Sequence, residues 1–261
     1  MITTHKLFDY LHTQIFSPEL RNKAQQLDSN ANGIQILGQE KVDKIALGVS
    51  CNLEFLEKAV SWGAQICLFH HGLGLNEKYI YNSCLDLSLQ KQLKIIFENE
   101  LTIAGYHYYL DVHPQIGNNA LIAKNLGAKI NGKYFDDWGI TAAFDKPKML
   151  EEIAKDCTKL FKHDVFMVLG GQKEIQNIAV CSGAAILKAK QIKEILDKKI
   201  ELHITGEISE RMPALARENV FNYFACGHYA TEVFGIQEIG EKINEQFPEL
   251  DIRFIEVWNE I

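Results

Sequence analysis

Short apolar runs alternate along the chain with segments whose apolar residues recur at helical spacing. HKLFDYLHTQIF (residues 5–16) reads as an amphipathic opening helix. LDSNANGIQILG (27–38) is a polar stretch in which Asn32-Gly33 offers turn chemistry ahead of Ile34, Ile36 and Leu37. There follow KIALGVS (44–50), NLEFLEKAVSWGA (52–64), QICLFHHG (65–72), LSLQKQLKIIFENE (87–100) and LTIAGYHYYLD (101–111). Buried strands joined by crossover helices predict an α/β fold. After a Gly/Asp-rich passage near residues 131–139 the same order returns: NIAVCSG (177–183), ILKAKQIKEILDKK (186–199), IELHITGE (200–207), SERMPALAREN (209–219) and VFNYFACGHYATE (220–232). Each half ends with a histidine and a carboxylate four residues apart, His107 with Asp111 and His228 with Glu232. The pattern predicts one domain with two related α/β lobes, about 1–130 and 131–261, carrying mixed sheets. The tail alternates apolar and polar residues from Ile252 to Trp258, as a half-exposed antiparallel or edge strand does.

Composition narrows the class. With 261 residues, 47% of them apolar and 23% charged, the chain can bury a substantial core, which excludes disorder and small disulfide scaffolds. No stretch approaches the roughly 18 apolar residues that span a bilayer, and MITTHKLFDYLH carries His and Asp where a signal peptide is apolar. The expectation is a cytoplasmic protein without membrane contact. The six cysteines include no CxxC pair and read as reduced core residues. A net charge of -7 and the lack of a basic run argue against a nucleic-acid grip.

The chemistry lies at strand ends, where open α/β sheets collect ligands. His70 and His71 close the run ICLF, but adjacent strand residues point to opposite faces, so the pair does not naturally chelate one ion; they reach one metal each, or share one if the strand breaks at Gly72. His228 and Glu232 follow Gly227, where the backbone can turn sharply, and their i, i+4 spacing places imidazole and carboxylate on one helical face. Asp111 ends an apolar strand and must be hydrated, paired or metal-bound. Imidazoles and carboxylates without thiolates suit Zn, Fe, Mn or Co in an open site. Five such ligands exceed what one catalytic ion takes, which favours two divalent ions about 3.5–4 Å apart and a metal-bound hydroxide as nucleophile. Motifs of P-loop, serine-hydrolase and dinucleotide-binding proteins are missing from the sequence. Leu169-Gly170-Gly171-Gln172 reads as a structural turn, and Cys226 as a buried strand residue.

NGIQILG (32–38), FHHG (69–72), GYHYYLDVHPQIGNNALIAKNLG (105–127), ITGEISERMPALARE (204–218) and ACGHYATEVFGIQEIGEKI (225–243) together resemble the NIF-three-like family, whose bacterial members are known as GTP cyclohydrolase 1 type 2 homologues. The resemblance implies two lobes around a central dinuclear metal cleft, assembly into a toroidal homohexamer, and metal ligation by His70, His71, Asp111, His228 and Glu232. It places His107, before the LD motif, and Glu207, in the TGE motif, as substrate or proton-transfer residues. It further implies a metal-dependent hydrolase acting on a small molecule, with GTP converted to dihydroneopterin triphosphate. The contrasting reading is a ring-shaped regulatory or interaction protein without enzymatic activity. Two departures stand out: Leu73-Gly74-Leu75-Asn76 replaces the aromatic residues that follow HHG in close relatives, and Ser182-Gly183-Ala184-Ala185 replaces a glycine-rich segment, narrowing backbone approach to a phosphate. The length leaves no room for the insertion domain of longer members.

Overall fold

Two larger sheets, each built around parallel strands, organise the chain, which a computed structural model describes at residues 1–29, 31–74, 80–81, 84–259 and 261. Leu75 and Asn76, from the loop that departs from the family pattern, lie outside the described residues. The chain divides into two units, Met1–Leu110 with Gly235–Trp258, and Asp111–Phe234 with Asn259–Ile261.

In the first unit the strand order is Asp251–Phe254, Lys44–Ser50, Ile66–His71, Thr102–Tyr106, Asn32–Ile36. Neighbours are parallel except for the last pair. The three inner strands are near-continuous apolar runs because helices cover parallel sheets on both faces. Crossover helices Leu53–Trp62 and Leu87–Glu98 begin where the sequence supplies a side-chain acceptor: Asn52 accepts from the Phe55 N–H and Asp86 from the Leu89 N–H. Phe55, Leu56, Ala59, Leu89 and Ile96 from these helices pack with Ala46, Cys67, Phe69 and Ile103 of the sheet. The predicted opening helix forms as Thr4–Tyr10 and then widens into a π-helical turn, Leu11–Ile15. Asn32-Gly33 starts a strand rather than preceding one, with Gly33 at φ +105 and a register shift between Ile34 and Ile36. The tail strand lies at the sheet edge, half-exposed as its alternation predicts, and pairs in parallel.

The second unit orders Phe166–Val168, Asn222–Ala225, Leu202–Thr205, Glu174–Cys181, Gly139–Met149, Lys129–Tyr134. Its central three strands are parallel and the flanking ones antiparallel. Alternation sorts the side chains: Ile178, Val180, Ile204 and Phe224 pack with Ile153 and Cys157 of helix Leu150–Phe161, while Ala179, Tyr223 and Ala225 pack with Ile195 and Ala216. The Gly/Asp-rich passage is the turn of the hairpin between Tyr134 and Gly139, with Phe135, Asp136 and Asp137 all at positive φ.

In both units a strand that precedes the three helix-linked parallel strands in sequence pairs antiparallel with the third of them. In both, the third parallel strand leads to a helix that opens on a histidine, His107–Val112 or His228–Thr231. All six cysteines are free; Cys67, Cys157, Cys181 and Cys226 are buried as the core reading requires, but Cys84 is exposed and Cys51 is partly so. Among the described residues no helix is long and apolar enough to cross a membrane.

Candidate functional site

In the first unit the parallel register aligns the ends of Ile66–His71 and Thr102–Tyr106, and three imidazoles meet there. The His70 and His71 rings are 4.6 Å apart, despite the alternation of strand side chains, because the strand ends at His71. The His107 ring lies 5.0 Å from His70 and 5.2 Å from His71. Two of these rings are held through Nδ1. His107 Nδ1 donates to Asp28 Oδ2 at 2.8 Å, and His71 Nδ1 lies 3.0 Å from Ser50 Oγ. Burial by itself raises the Asp28 pKa, but hydrogen bonds from His107 and Asn32, the His107 charge and a Tyr108 backbone contact hold it below the usual carboxylate range. A carboxylate only accepts, so Nδ1 carries a proton toward Asp28, and in the neutral ring the lone pair is on Nε2.

The second unit gathers the carboxylates. Asp111 is buried, and its Oδ1 accepts from Ser182 Oγ at 2.7 Å and from Asn118 Nδ2 at 3.2 Å. Gly227, at φ +87, makes the sharp turn the sequence predicts, and His228 begins a four-residue helix that stops at Glu232 before Val233–Gln246. His228 Nδ1 donates to Glu207 Oε1 at 2.6 Å, and His228 Nε2 lies 3.2 Å from Glu232 Oε2. Burial lowers the His228 pKa, but the hydrogen bonds and charges of Glu232 and Glu207 overcome it and carry it to about 9. Glu232 is only 1% exposed. A Cβ on Gly183, which sits at φ +65, would come within 2.3 Å of Glu232 Oε1 and 3.2 Å of His228 Nε2. The Gly183 backbone therefore forms a wall of the Glu232 and His228 cradle.

Two acidic groups withdrawn from water need a compensating charge. Imidazoles fixed through Nδ1 by an oxygen acceptor are the usual form of metal-ligating histidines. His70, His71 and His107 in the first unit, and Glu232 in the second, are each of a type that can donate to a metal ion. The donor set fits such an ion: nitrogen and oxygen atoms, no thiolate, and outer partners in place on His71, His107 and His228.

Sequence reasoning did not identify Asp28, Ser50, Asn118 or Ser182. Other chemistries find no support. Burial, with the Asp111 and Glu232 charges beside it, pushes the Cys181 thiol well up, away from a reactive thiolate. The Gly170 and Gly171 N–H groups both donate to Asn222 Oδ1, at 3.2 and 3.1 Å, so that turn is structural, as read, and is no phosphate cradle.

A GTP cyclohydrolase 1 type 2 homolog of Buchnera aphidicola subsp. Schizaphis graminum is 33% identical over 96% of this chain and 98% of its own length. The homolog of the same name from Escherichia coli K12 is 31% identical over 92% and 95%. A solved structure described as protein ybgI, of unknown function, superposes with a TM-score of 0.85 at 28% identity and covers all of both chains. The sequence model of Duf34/NIF3 (NGG1p interacting factor 3) matches residues 14–260, and the chain belongs to that family.

Proposed function

We propose that this protein is a metal-dependent hydrolase in which His70, His71, Asp111, His228 and Glu232 hold two divalent ions. The observation that carries the reading is the buried pair of carboxylates, Asp111 and Glu232, in a chain whose His71, His107 and His228 rings are each fixed at Nδ1. Bound divalent ions supply an activated water at neutral pH and stabilise a developing oxyanion.

The chain's own residues divide the remaining work. Asp28 keeps the proton of His107 on Nδ1, so His107 Nε2 can accept a proton from water or substrate. Glu207 orients the His228 ring through Nδ1 and can exchange a proton with it, which accommodates the role its TGE motif implies. Gly183 keeps the Glu232 carboxylate in place by leaving no room for a side chain. The names of the relatives point to GTP as the substrate, and dihydroneopterin triphosphate is the product that the family resemblance implies. The toroidal hexamer implied by the family resemblance belongs to the same proposal, and the mass in solution tests it.

The deciding experiment measures metal per chain and follows GTP by the appearance of pterin fluorescence, with His70→Ala and Glu232→Gln as controls. Two ions per chain, with turnover lost in both variants, is the expected result. Two ions without GTP consumption retains the centre and removes GTP. Fewer than one ion per chain after repletion overturns the metal reading. Loss of assembly on metal removal, with no nucleotide consumed, identifies the regulatory ring instead.

A further inference from the structure

We propose that Asn119, which the functional reading leaves unused, is the positioning residue for both carboxylates of the second unit. Asn119 is fully buried, and its amide joins three separate segments. Its Nδ2 donates to the backbone oxygen of Asp111 at 2.9 Å and to that of Trp138 at 2.8 Å, while its Oδ1 accepts the Ser182 N–H at 2.7 Å. Both amide protons and a carbonyl lone pair are thereby engaged by backbone groups, each of them costly to leave unpaired in a buried place.

What the amide joins gives it a function. The residue whose N–H it accepts, Ser182, donates its own hydroxyl to Asp111 Oδ1 at 2.7 Å. The Asp111 carboxylate is therefore set from two directions: its backbone is tied to Asn119, and its side chain to a serine that Asn119 also holds. The next residue carries the effect further. Gly183 N–H donates to Thr231 Oγ1 at 3.0 Å, and the Gly183 oxygen accepts from Thr205 Oγ1 at 3.0 Å, from the Gly206 N–H at 2.9 Å and from the Glu207 N–H at 3.2 Å. Gly183 is also the wall against which Glu232 rests. A shift of the Ser182-Gly183 segment would move Asp111, Glu232 and the Glu207 that orients His228 together. Asn118, the neighbouring residue, donates to Asp111 Oδ1 at 3.2 Å and supplies a comparison.

The inference rests on the proposed metal centre for its consequence, but the tie can be measured without metal. Outer-shell partners of ligands typically set metal affinity by about 10- to 100-fold. The test uses Asn119→Asp, which keeps the shape and the acceptor for Ser182 but turns the amide donor into an oxygen facing two carbonyls. Asn119→Ser is a second, smaller variant in case the first does not fold. Amide hydrogen exchange at Ser182 and Gly183 is read in the metal-free protein, and Co(II) affinity and absorption spectrum in the loaded one. Expected are a folded variant with exchange at Gly183 accelerated at least tenfold, Co(II) affinity lowered about 10- to 100-fold and an altered spectrum, whereas Asn118→Ala leaves Gly183 exchange unchanged. Wild-type exchange and Co(II) spectrum in both Asn119 variants overturn the proposal. If the wild-type protein binds no Co(II), the metal reading fails separately, and exchange alone decides whether Asn119 holds the segment.

Discussion

Gly183→Ala places the tightest test on the cradle. Two costs combine at this position. The backbone sits at φ +65, where a side chain costs about 1–2 kcal/mol, offset by about 0.4–1 kcal/mol because alanine narrows the unfolded ensemble. The new Cβ would also lie 2.3 Å from Glu232 Oε1, about 1 Å short of ordinary contact. An exposed carboxylate would swing aside at little cost, but Glu232 is 1% exposed and lies 3.2 Å from Nε2 of the half-buried His228, so its retreat disturbs a charged pair with one buried member. Breaking such a pair outright costs about 3–5 kcal/mol, and straining it a fraction of that, which brings the expected loss to about 2–4 kcal/mol. At roughly 2–4 °C per kcal/mol for a chain of this size, the melting temperature should fall by about 4–16 °C.

Gly63→Ala is the matched control. Gly63 caps helix Leu53–Trp62 at φ +85, and a Cβ there would meet only Lys44 Nζ, at 3.7 Å. It carries the backbone cost without the clash, so its loss should stay near 1 kcal/mol or less. Differential scanning calorimetry on the metal-free proteins, followed by titration with Zn or Mn, separates the two effects. Gly183→Ala alone should also lose ion affinity, by about 10- to 100-fold. Equal destabilisation in the two variants, with ion affinity unchanged in Gly183→Ala, would refute the close packing of Gly183 on Glu232.

Three further outcomes follow from other parts of the chain. Val220 is a β-branched residue at φ +59, 71% exposed just beyond helix Met212–Glu218, so Val220→Gly should raise stability by about 0.5–1 kcal/mol in a urea titration, and a loss of stability would remove the strain argument. His203 is fully buried, and burial pushes its pKa from 6.5 down to about 3; the unfolded chain takes up this proton below pH 6.5 and the folded one does not, so stability present above pH 6.5 is lost as pH falls toward 3, at up to about 1.4 kcal/mol per unit. Urea midpoints between pH 7 and 5 should fall less steeply in His203→Leu than in the wild type, and equal slopes would contradict that assignment. Native alkylation should label exposed Cys84 first, because burial protects Cys67, Cys157, Cys181 and Cys226 and raises the Cys51 thiol to about 12; rapid labelling of Cys181 would conflict with its packing.

Much of the fold was legible because its strands are buried on both faces and its helices announce their starts. KIALGVS and ICLFHH read as buried strands because they are short apolar runs set between helical segments, and Asn52 and Asp86 stand where helix caps are needed. His70, His71, Asp111, His228 and Glu232 stood out because each interrupts or ends an apolar run. The residues that hold them did not. Asp28 lies in a polar stretch 79 positions from His107, Ser182 is 71 from Asp111, and Asn119 is 63 from Ser182. No local period encodes such pairings, since they depend on which strand ends the sheet brings together. The strand rule also misled at one point. Alternation predicts that His70 and His71 diverge, but at the end of a strand the rings can turn inward, and they meet 4.6 Å apart.

The holders of the imidazoles differ in kind, and that difference bears on the chemistry. His107 and His228 each open the helix after a third parallel strand, and each gives its Nδ1 proton to a carboxylate, Asp28 or Glu207. His71 instead meets a hydroxyl on the adjacent strand, Ser50, its register partner. An anionic acceptor pulls on the Nδ1 proton and makes the opposite nitrogen more basic, whereas a hydroxyl fixes orientation with less effect on basicity. Equal ligands would need no such distinction. The two carboxylate-backed rings are therefore the stronger bases of the set, suited to taking up and returning a proton or to holding an ion tightly. His71, held by a hydroxyl, is fixed in orientation without that pull. Within the first unit the imidazole holders are therefore graded, a carboxylate behind His107 and a hydroxyl behind His71, so Asp28→Asn should change the basicity of its ring where Ser50→Ala changes mainly the orientation of its own.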